Sequence, residues 1–259
     1  MTAPKKHLGQ NWLHDSTALE AMCEAAAVGP NDLVLEIGPG LGTLTEKLLE
    51  TGAEVWALEY DESLIPGLQK KFSQYDSTRF HVEHADILQY DFNNPSPGYK
   101  VVANIPYYLT SNLLRRMCEA ENHFSTAALL VQKEVAERVA AHPGDMSLLS
   151  VSVQFYCDVS LGMIVPAELF TPVPKVDSQI LVLNYRSAPL YPDVDSKKFF
   201  RFVKAGFSER RKKLRSSLSG GLRISKQEAE SLLQKAGVDP NLRAQALSLG
   251  DWYNLYKSM

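Results

Sequence analysis

The stretch DLVLEIGPGLG (32–42) constrains this chain more than any other. An apolar run ends at glycines 38, 40 and 42, and GTLTEKLLETG (42–52) then follows with helical spacing and a terminal Gly52. A buried strand, a tight loop and a helix in that order make the first part of a parallel β-α-β unit. The pattern repeats along the chain. EVWALEYD (54–61), RFHVEHAD (79–86), YKVVANI (99–105) and TAALLVQ (126–132) read as strands, the last running into a helix, KEVAERVAA (133–141). SVSVQFYCDVSLGMIV (150–165) and SQILVLNYR (178–186) are strand-rich and would close the sheet. The expectation is an α/β domain over residues 1–186.

A linker with two prolines, SAPLYPDVD (187–195), precedes a segment that reads entirely as helix. SKKFFRFVKAGFSERRKKLRSSL carries apolar residues at Phe199, Val203, Phe207, Leu214 and Leu218, the spacing of one long helix. SGG (219–221) would break it. SKQEAESLLQKAG (225–237) shows a capping box, Ser225 with Glu228. DPNLRAQAL would open a further helix, with Asp239 as its N-cap and Pro240 in its first turn. Charge divides at the same place. The net charge of −3 hides 15 Lys+Arg against 7 Asp+Glu from residue 186 onward, and 12 against 23 before it. A small basic all-α domain over 187–259 points to an anionic partner, most often a nucleic acid. No apolar run approaches the ~20 residues that span a bilayer, and MTAPKKHLGQNWL lacks the apolar core of a secretory signal. Cys23, Cys118 and Cys157 are odd in number and widely spaced, as expected of buried free thiols in a reducing cytoplasm.

The glycine loop discriminates between cofactors. A pyrophosphate-binding loop needs G-x-G-x-x-G, but Thr43 stands where the third glycine belongs, and Pro39 removes an amide. Glu36 opens the loop with a carboxylate, which repels phosphate and suits a cation. S-adenosylmethionine, a sulfonium with an ammonium and no phosphate, fits this loop better. Glycines at Gly38 and Gly40 let a ligand approach the backbone. Glu59, ending the second strand, could accept both ribose hydroxyls, a placement shared with NAD proteins. Asp86, ending the third, could accept from an adenine amino group while Ile87 and Leu88 flank the ring. His81 and His84 share a strand without a further ligand cluster, so no metal site is expected.

The fourth strand stops at NIPYY (104–108). Pro106 fixes its own φ and pushes Ile105 toward extended backbone, so the carbonyls here point in defined directions. Asn104 adds a side-chain acceptor and Tyr107 a flat π-face. Two acceptors could grip an exocyclic amine while the base stacks. Such an amine is a poor nucleophile because its lone pair is spread into the ring. Acceptors that draw its hydrogens out of plane localise that pair, and proximity does the rest. A plain proline turn with core tyrosines is the alternative; Tyr108 is expected to pack in the core.

Taken together these motifs resemble the ribosomal RNA adenine dimethyltransferase family, which methylates adenosine N6 with S-adenosylmethionine. KKHLGQNWL (5–13) is similar to its N-terminal signature, with Trp12 where Phe is usual. EIGPGLGTLT, ALEYD and HADIL resemble its cofactor motifs, NIPYY its amino-group motif, and FTPVPKVDS (170–178) and FSERRKKL (207–214) its later motifs. The resemblance implies a Rossmann-like S-adenosylmethionine-dependent methyltransferase sheet with helices on both faces, plus the small helical RNA-binding domain. It implies cofactor contacts from Asn11, Leu13, Gly38, Gly40, Glu59, Asp86 and Asn104, and S-adenosylhomocysteine as product. Asn104 and the Pro106 backbone would hold the target amine. Tyr107 would stack on the adenine, with Phe170 either a second wall or an anchor for its proline-rich loop.

The tail resembles the branch acting on small-subunit (16S) ribosomal RNA, which dimethylates two adjacent adenosines in the 3′-terminal hairpin loop. The expected partner is 16S rRNA within the immature 30S subunit, met by a cytoplasmic monomer with no membrane role. On a helical wheel Arg210 and Arg211 flank the apolar stripe while Lys212 and Lys213 point away. Arg210, Arg211 and Lys212 are the expected phosphate contacts. Alternatives are the antibiotic-resistance branch acting on large-subunit RNA, and a ribosome-assembly factor without catalysis.

Overall fold

The structure, a computed structural model, describes residues 4, 5, 8–188, 190–209 and 211–259. The chain divides into two compact units, one of residues 1–136 and 157–185, the other of 137–156 and 186–259. Residues 137–156 thus cluster with the helical unit, where the linear reading places them in the first domain.

In the first unit, β1 (Trp12–Leu13) leads into α1 (Ser16–Ala25), whose N-cap Asp15 accepts from Ala18 N at 2.8 Å. Then follow β2 (Leu33–Ile37), α2 (Thr43–Glu50), β3 (Glu54–Glu59), α3 (Ile65–Lys71), β4 (Phe80–His84), β5 (Lys100–Asn104), α4 (Thr110–Glu119), β6 (Thr126–Gln132) and α5 (Lys133–Val139). After α6 (Leu148–Gln154), which belongs to the second unit, come β7 (Cys157–Val165), β8 (Phe170–Thr171) and β9 (Ser178–Tyr185). The seven-stranded sheet runs β4-β3-β2-β5-β6-β9-β7. Its first five strands are parallel, and β9 and β7 close it antiparallel. The central strands are apolar throughout: Val101 to Ala103 and Ala127 to Val131 are fully buried, as a sheet covered on both faces requires. Strand order reverses between β2 and β5, which opens a crevice beyond their carboxyl ends. The N-terminal β1 pairs with β8 rather than with the main sheet, Leu13 opposite Phe170.

One strand expected from the sequence is not formed. The first half of 150–165 is the helix α6, not strand. Its VSV alternation suited a strand, but the Ser147–Ser150 capping box starts a helix whose Val151 and Val153 are buried. Cys118 and Cys157 are buried free thiols with their Sγ atoms 3.9 Å apart, and Cys23 is likewise free and buried.

In the second unit, α7 (Ser196–Gly206), α8 (Leu214–Leu222), α9 (Lys226–Lys235) and α10 (Leu249–Lys257) pack around Phe199, Phe202, Val203, Leu214, Leu218 and Trp252. The long helix expected from 196 to 218 is two helices. The break falls at Gly206, on which the Trp252 ring packs too closely for any Cβ; a 3-10 turn at 207–209 follows. Ser219-Gly-Gly lies inside α8 rather than ending it. A Cβ on Gly221 would fall 2.6 Å from Ala205 Cα, so the glycine serves the close approach of α8 to α7. No α-helix starts at Asp239. Its carboxylate accepts from Asn241 N at 2.8 Å in a turn, and α10 starts later, at a Ser248–Asp251 capping box.

Candidate active site at the carboxyl ends of β2 to β5

A cavity of about 380 Å³ lies in the crevice of the first unit. Its walls are the loops that follow β2, β3, β4 and β5, crossed by residues 8–13 of the N-terminal arm. Four chain segments distant in sequence therefore meet at one place because parallel strands deliver all their carboxyl ends to the same edge.

The glycine loop is held open by backbone geometry. Gly38, Gly40 and Gly42 have φ of 71°, 57° and 74°, which side chains rarely adopt. Nothing lies within 4 Å of where a Cβ on Gly38 would sit, whereas one on Gly40 would touch the Trp12 indole at 3.4 Å. Glu59 braces the loop: its carboxylate accepts from Gly40 N at 3.1 Å and from Asp61 N at 2.7 Å. Each oxygen keeps a second lone pair, enough for a pair of ligand hydroxyls. Burial pushes the Glu59 carboxyl up, and these backbone donors oppose it.

Glu36 lies at the base of the loop, 1% exposed. Burial raises its carboxyl to about 8, although the Thr45 hydroxyl donates to Oε2 at 2.7 Å. Oε1 is buried without a partner, as is Trp12 Nε1. An orphaned carboxyl oxygen beside the cavity leaves room for a ligand that donates hydrogen bonds, such as an ammonium, and offers nothing to a phosphate. Asp86, two residues beyond β4, accepts from Leu88 N and Gln89 Nε2, both at 2.9 Å. Ala85, Ile87 and Leu88 continue the wall as apolar surface.

The arm is tied across the cavity by a salt bridge. Lys5 Nζ reaches Asp61 at 2.6 Å, and Gln10 Nε2 donates to the other oxygen at 3.2 Å. Burial alone would raise Asp61; donors from Lys5, Ser63 and Gln10 outweigh it and hold the acid at about 2. Asn11 then receives Asn104 Nδ2 on its backbone carbonyl at 3.0 Å. That bond orients the Asn104 amide and leaves Oδ1 as its uncommitted acceptor. Pro106 is half-buried beside it, and its carbonyl takes Leu109 N at 3.0 Å, leaving one lone pair. The Tyr107 hydroxyl bonds Ser178 Oγ at 2.9 Å, which fixes the ring, and burial raises the phenol.

The family model for ribosomal RNA adenine dimethylase matches residues 1–259, the whole chain. The chain belongs to the ribosomal RNA adenine dimethylase family. A ribosomal RNA small subunit methyltransferase A of Dehalococcoides mccartyi is 41% identical, over 96% of this chain and 86% of the relative. One of Clostridium acetobutylicum is 38% identical, over 96% and 91%. Among solved structures, a dimethyladenosine transferase of Plasmodium falciparum superposes with a TM-score of 0.79 at 26% identity, covering 94% of this chain and 95% of that one. The 23S rRNA methyltransferase ErmE gives 0.75 at 29%, covering 95% and 98%.

In this adenine dimethylase, Asn11, Leu13, Gly38, Gly40, Glu59, Asp86, Asn104, Pro106 and Tyr107 all line the one cavity. Leu13 does so from the core, being only 1% exposed. Phe170 is not on the wall. Its pairing with Leu13 turns the ring into the core, 1% exposed, so it is the anchor rather than the second wall. Arg210 lies outside the described residues. Arg211 and Lys212 are exposed in the second unit, after the 3-10 turn and not on a helix, so the wheel that separated them does not apply. Lys212 pairs with Glu209 at 2.5 Å, and Lys213 donates to Asn241 Oδ1 at 2.8 Å.

Sequence reasoning missed Gln10, Tyr60 and Tyr108 as wall residues. Tyr108 is not a core residue: it is 65% exposed at the cavity. The 3-10 turn at 107–109 rotates the consecutive tyrosines apart, leaving Tyr107 half-buried and Tyr108 exposed. Tyr60 was legible as the neighbour of Glu59, since alternate strand residues face opposite ways and the loop beyond turns outward.

Proposed function

We propose that this chain transfers methyl groups from S-adenosylmethionine to N6 of two adjacent adenosines in the 3′-terminal hairpin loop of 16S ribosomal RNA, dimethylating each. Its substrate is the immature small (30S) subunit, in the cytoplasm, and the enzyme acts as a monomer. The reading is carried by the uncommitted Asn104 Oδ1 beside the Pro106 carbonyl, on a cavity whose wall also holds Glu36, Glu59, Asp86 and the glycine loop.

The cofactor supplies an electrophilic methyl group on its sulfonium. The residues around it bind and orient. Glu59 offers two free lone pairs to ribose hydroxyls, Asp86 an acceptor to the adenine amine, and Glu36 an unpartnered carboxyl oxygen near the cationic end. Asn104 Oδ1 and the Pro106 carbonyl accept the two hydrogens of the target amine and draw its lone pair out of the ring plane. The N–C bond would form as the sulfonium's S–C bond breaks, leaving S-adenosylhomocysteine, and the amine's proton, acidic only then, would pass to water, so no strong general base is needed. Tyr107, its hydroxyl tied to Ser178, presents a fixed ring for a base that has left its stack. The exposed Arg211 and Lys212 serve as phosphate contacts.

The relatives named for the small subunit favour that target, while the likeness to a 23S enzyme keeps a second substrate in view. Incubation with labelled S-adenosylmethionine and undermethylated small subunits, followed by digestion, should give N6-dimethyladenosine with the wild type and none with Asn104→Ala. Label in large-subunit RNA instead would move the chain to the resistance branch. Subunit binding without any label would make it an assembly factor.

A further inference from the structure

Two large aromatic side chains stand exposed on the wall of this cavity. Tyr108 is 65% exposed and Tyr60 is 56% exposed, and both line it. They come from different segments, the turn after β5 and the residue just beyond β3. Tyr108 is not loose. Its ring rests on the N-terminal arm at Gly9, where a Cβ would fall 3.2 Å from Cε1 and 3.5 Å from Pro106 Cβ. Gly9 itself has a φ of 64°, a second reason for glycine there. Tyr60 is held from the other side: its carbonyl bonds His84 Nε2 at 3.0 Å, and the two rings lie 6.3 Å apart.

The electrostatics say which end of the cavity this is. Tyr60, Asp86 and Tyr108 all line the cavity, and burial raises the Tyr108 phenol, with the Tyr60 phenol and the Asp86 carboxylate adding to it. Asp86 and Tyr60 belong to the β3–β4 side of the crevice. Asn104 and Tyr107 mark the β5 side.

We infer that Tyr108 is a positioning residue for the cofactor, which with Tyr60 forms an aromatic cover over the Asp86 end of the cavity. The inference rests on the S-adenosylmethionine reading above. A flat apolar group entering between these rings and the Ile87–Leu88 wall would be buried on both faces, which gains far more than covering one. The two exposed rings are thus surface left bare until a purine occupies the site. The arm takes part because Gly9 is the seat of the Tyr108 ring.

The test is calorimetric titration of the full chain with S-adenosylhomocysteine, without RNA. Tyr108→Ala should weaken binding about tenfold or more, the scale of a lost base–aromatic stack. Tyr108→Phe should stay near the wild type, and Gly9→Ala, which unseats the ring, should fall between them. Thermal unfolding of Tyr108→Ala should match the wild type, since the side chain is mostly exposed. Wild-type affinity in Tyr108→Ala would overturn the inference. So would an unchanged nucleoside affinity with weakened binding of the small subunit, which would assign the ring to an RNA base. A wild-type chain that takes up no S-adenosylhomocysteine would instead defeat the cofactor reading itself, and this inference with it.

Discussion

The loops beyond β2 to β5 and the basic segment 211–213 are both irregular backbone, yet they are built on opposite principles. The loops are braced by bonds from distant parts of the chain: Glu59 to Gly40 N, Asn104 to the Asn11 carbonyl, Tyr107 to Ser178, Lys5 to Asp61. Glu36, Glu59 and Asp61 among their acids are buried and perturbed. In the basic segment Arg211, Lys212 and Lys213 are exposed, and the contacts of Lys212 and Lys213 are surface contacts that contribute little to stability. A reaction centre needs its groups fixed before the ligand arrives. A phosphate contact needs only charge that water and salt can reach. Substitutions in the first region should therefore act on chemistry and folding, and those in the second on salt-dependent affinity.

The sharpest break of that contrast would come from Asn104→Ala. It removes the amine acceptor and the tether to the arm, so methyl transfer should fall by about 100-fold or more while the chain still binds RNA. Single-turnover assays alongside subunit binding separate the two effects. Near wild-type turnover would mean the site is not preorganised around Asn104.

Glu36 tests whether the buried acids store folding energy. Burial raises it from an ordinary 4.5 to about 8, with the Thr45 bond opposing only in part. The folded chain then keeps a proton that the unfolded chain releases. This contribution to stability is full below 4.5 and is lost as pH rises toward 8. Glu36→Gln retains an acceptor for Thr45 and does not titrate. Its melting temperature should pull ahead of the wild type as pH climbs through that window, and a constant offset across it would refute the assignment.

Helix packing in the second unit offers a smaller effect. Gly221→Ala would place a methyl 2.6 Å from Ala205 Cα, forcing α7 and α8 apart. A loss of about 1–3 kcal/mol in denaturant unfolding is expected, with no preference for the pH range above. The mildest change is Arg211→Ala with Lys212→Ala. Affinity for the small subunit should fall several-fold at moderate salt, and the slope of log K against log salt should become shallower by about one to two. Turnover at saturating RNA should hold. A drop in that turnover would show that the basic segment does more than collect phosphate.

Much of the fold was legible because parallel β-α-β units write their period into the chain. TAALLVQ is β6 residue for residue, and the capping box at Ser225 starts α9 as expected. Helices in the second unit were harder. The apolar spacing from Phe199 to Leu218 continues in phase across the break, so only the Trp252 ring against Gly206 reveals that the chain turns there. Glycines at 220 and 221 look like a stop signal yet sit inside a helix, because a missing Cβ can serve close packing as well as a turn. Phe170 and Tyr108 show the limit: Phe170, open between wall and anchor, is in the core, and Tyr108, expected in the core, is on the wall. Neither position carries a local pattern that tells inside from outside. Phe170 is turned inward by a two-residue pairing with β1, and Tyr108 outward by one 3-10 turn.

The sequence by itself determined the parallel sheet, the glycine loop that disfavours a pyrophosphate, the acids at Glu59 and Asp86, and the amide at Asn104. These are local statements of chain geometry and chemical type, readable from a strand and the residues just past it. Tertiary structure alone decided that the N-terminal arm crosses the cavity, that Asn104 turns its carbonyl free by donating to Asn11, and which tyrosine is left exposed. Those outcomes depend on partners as many as 93 positions apart, brought together only when the strands align their carboxyl ends.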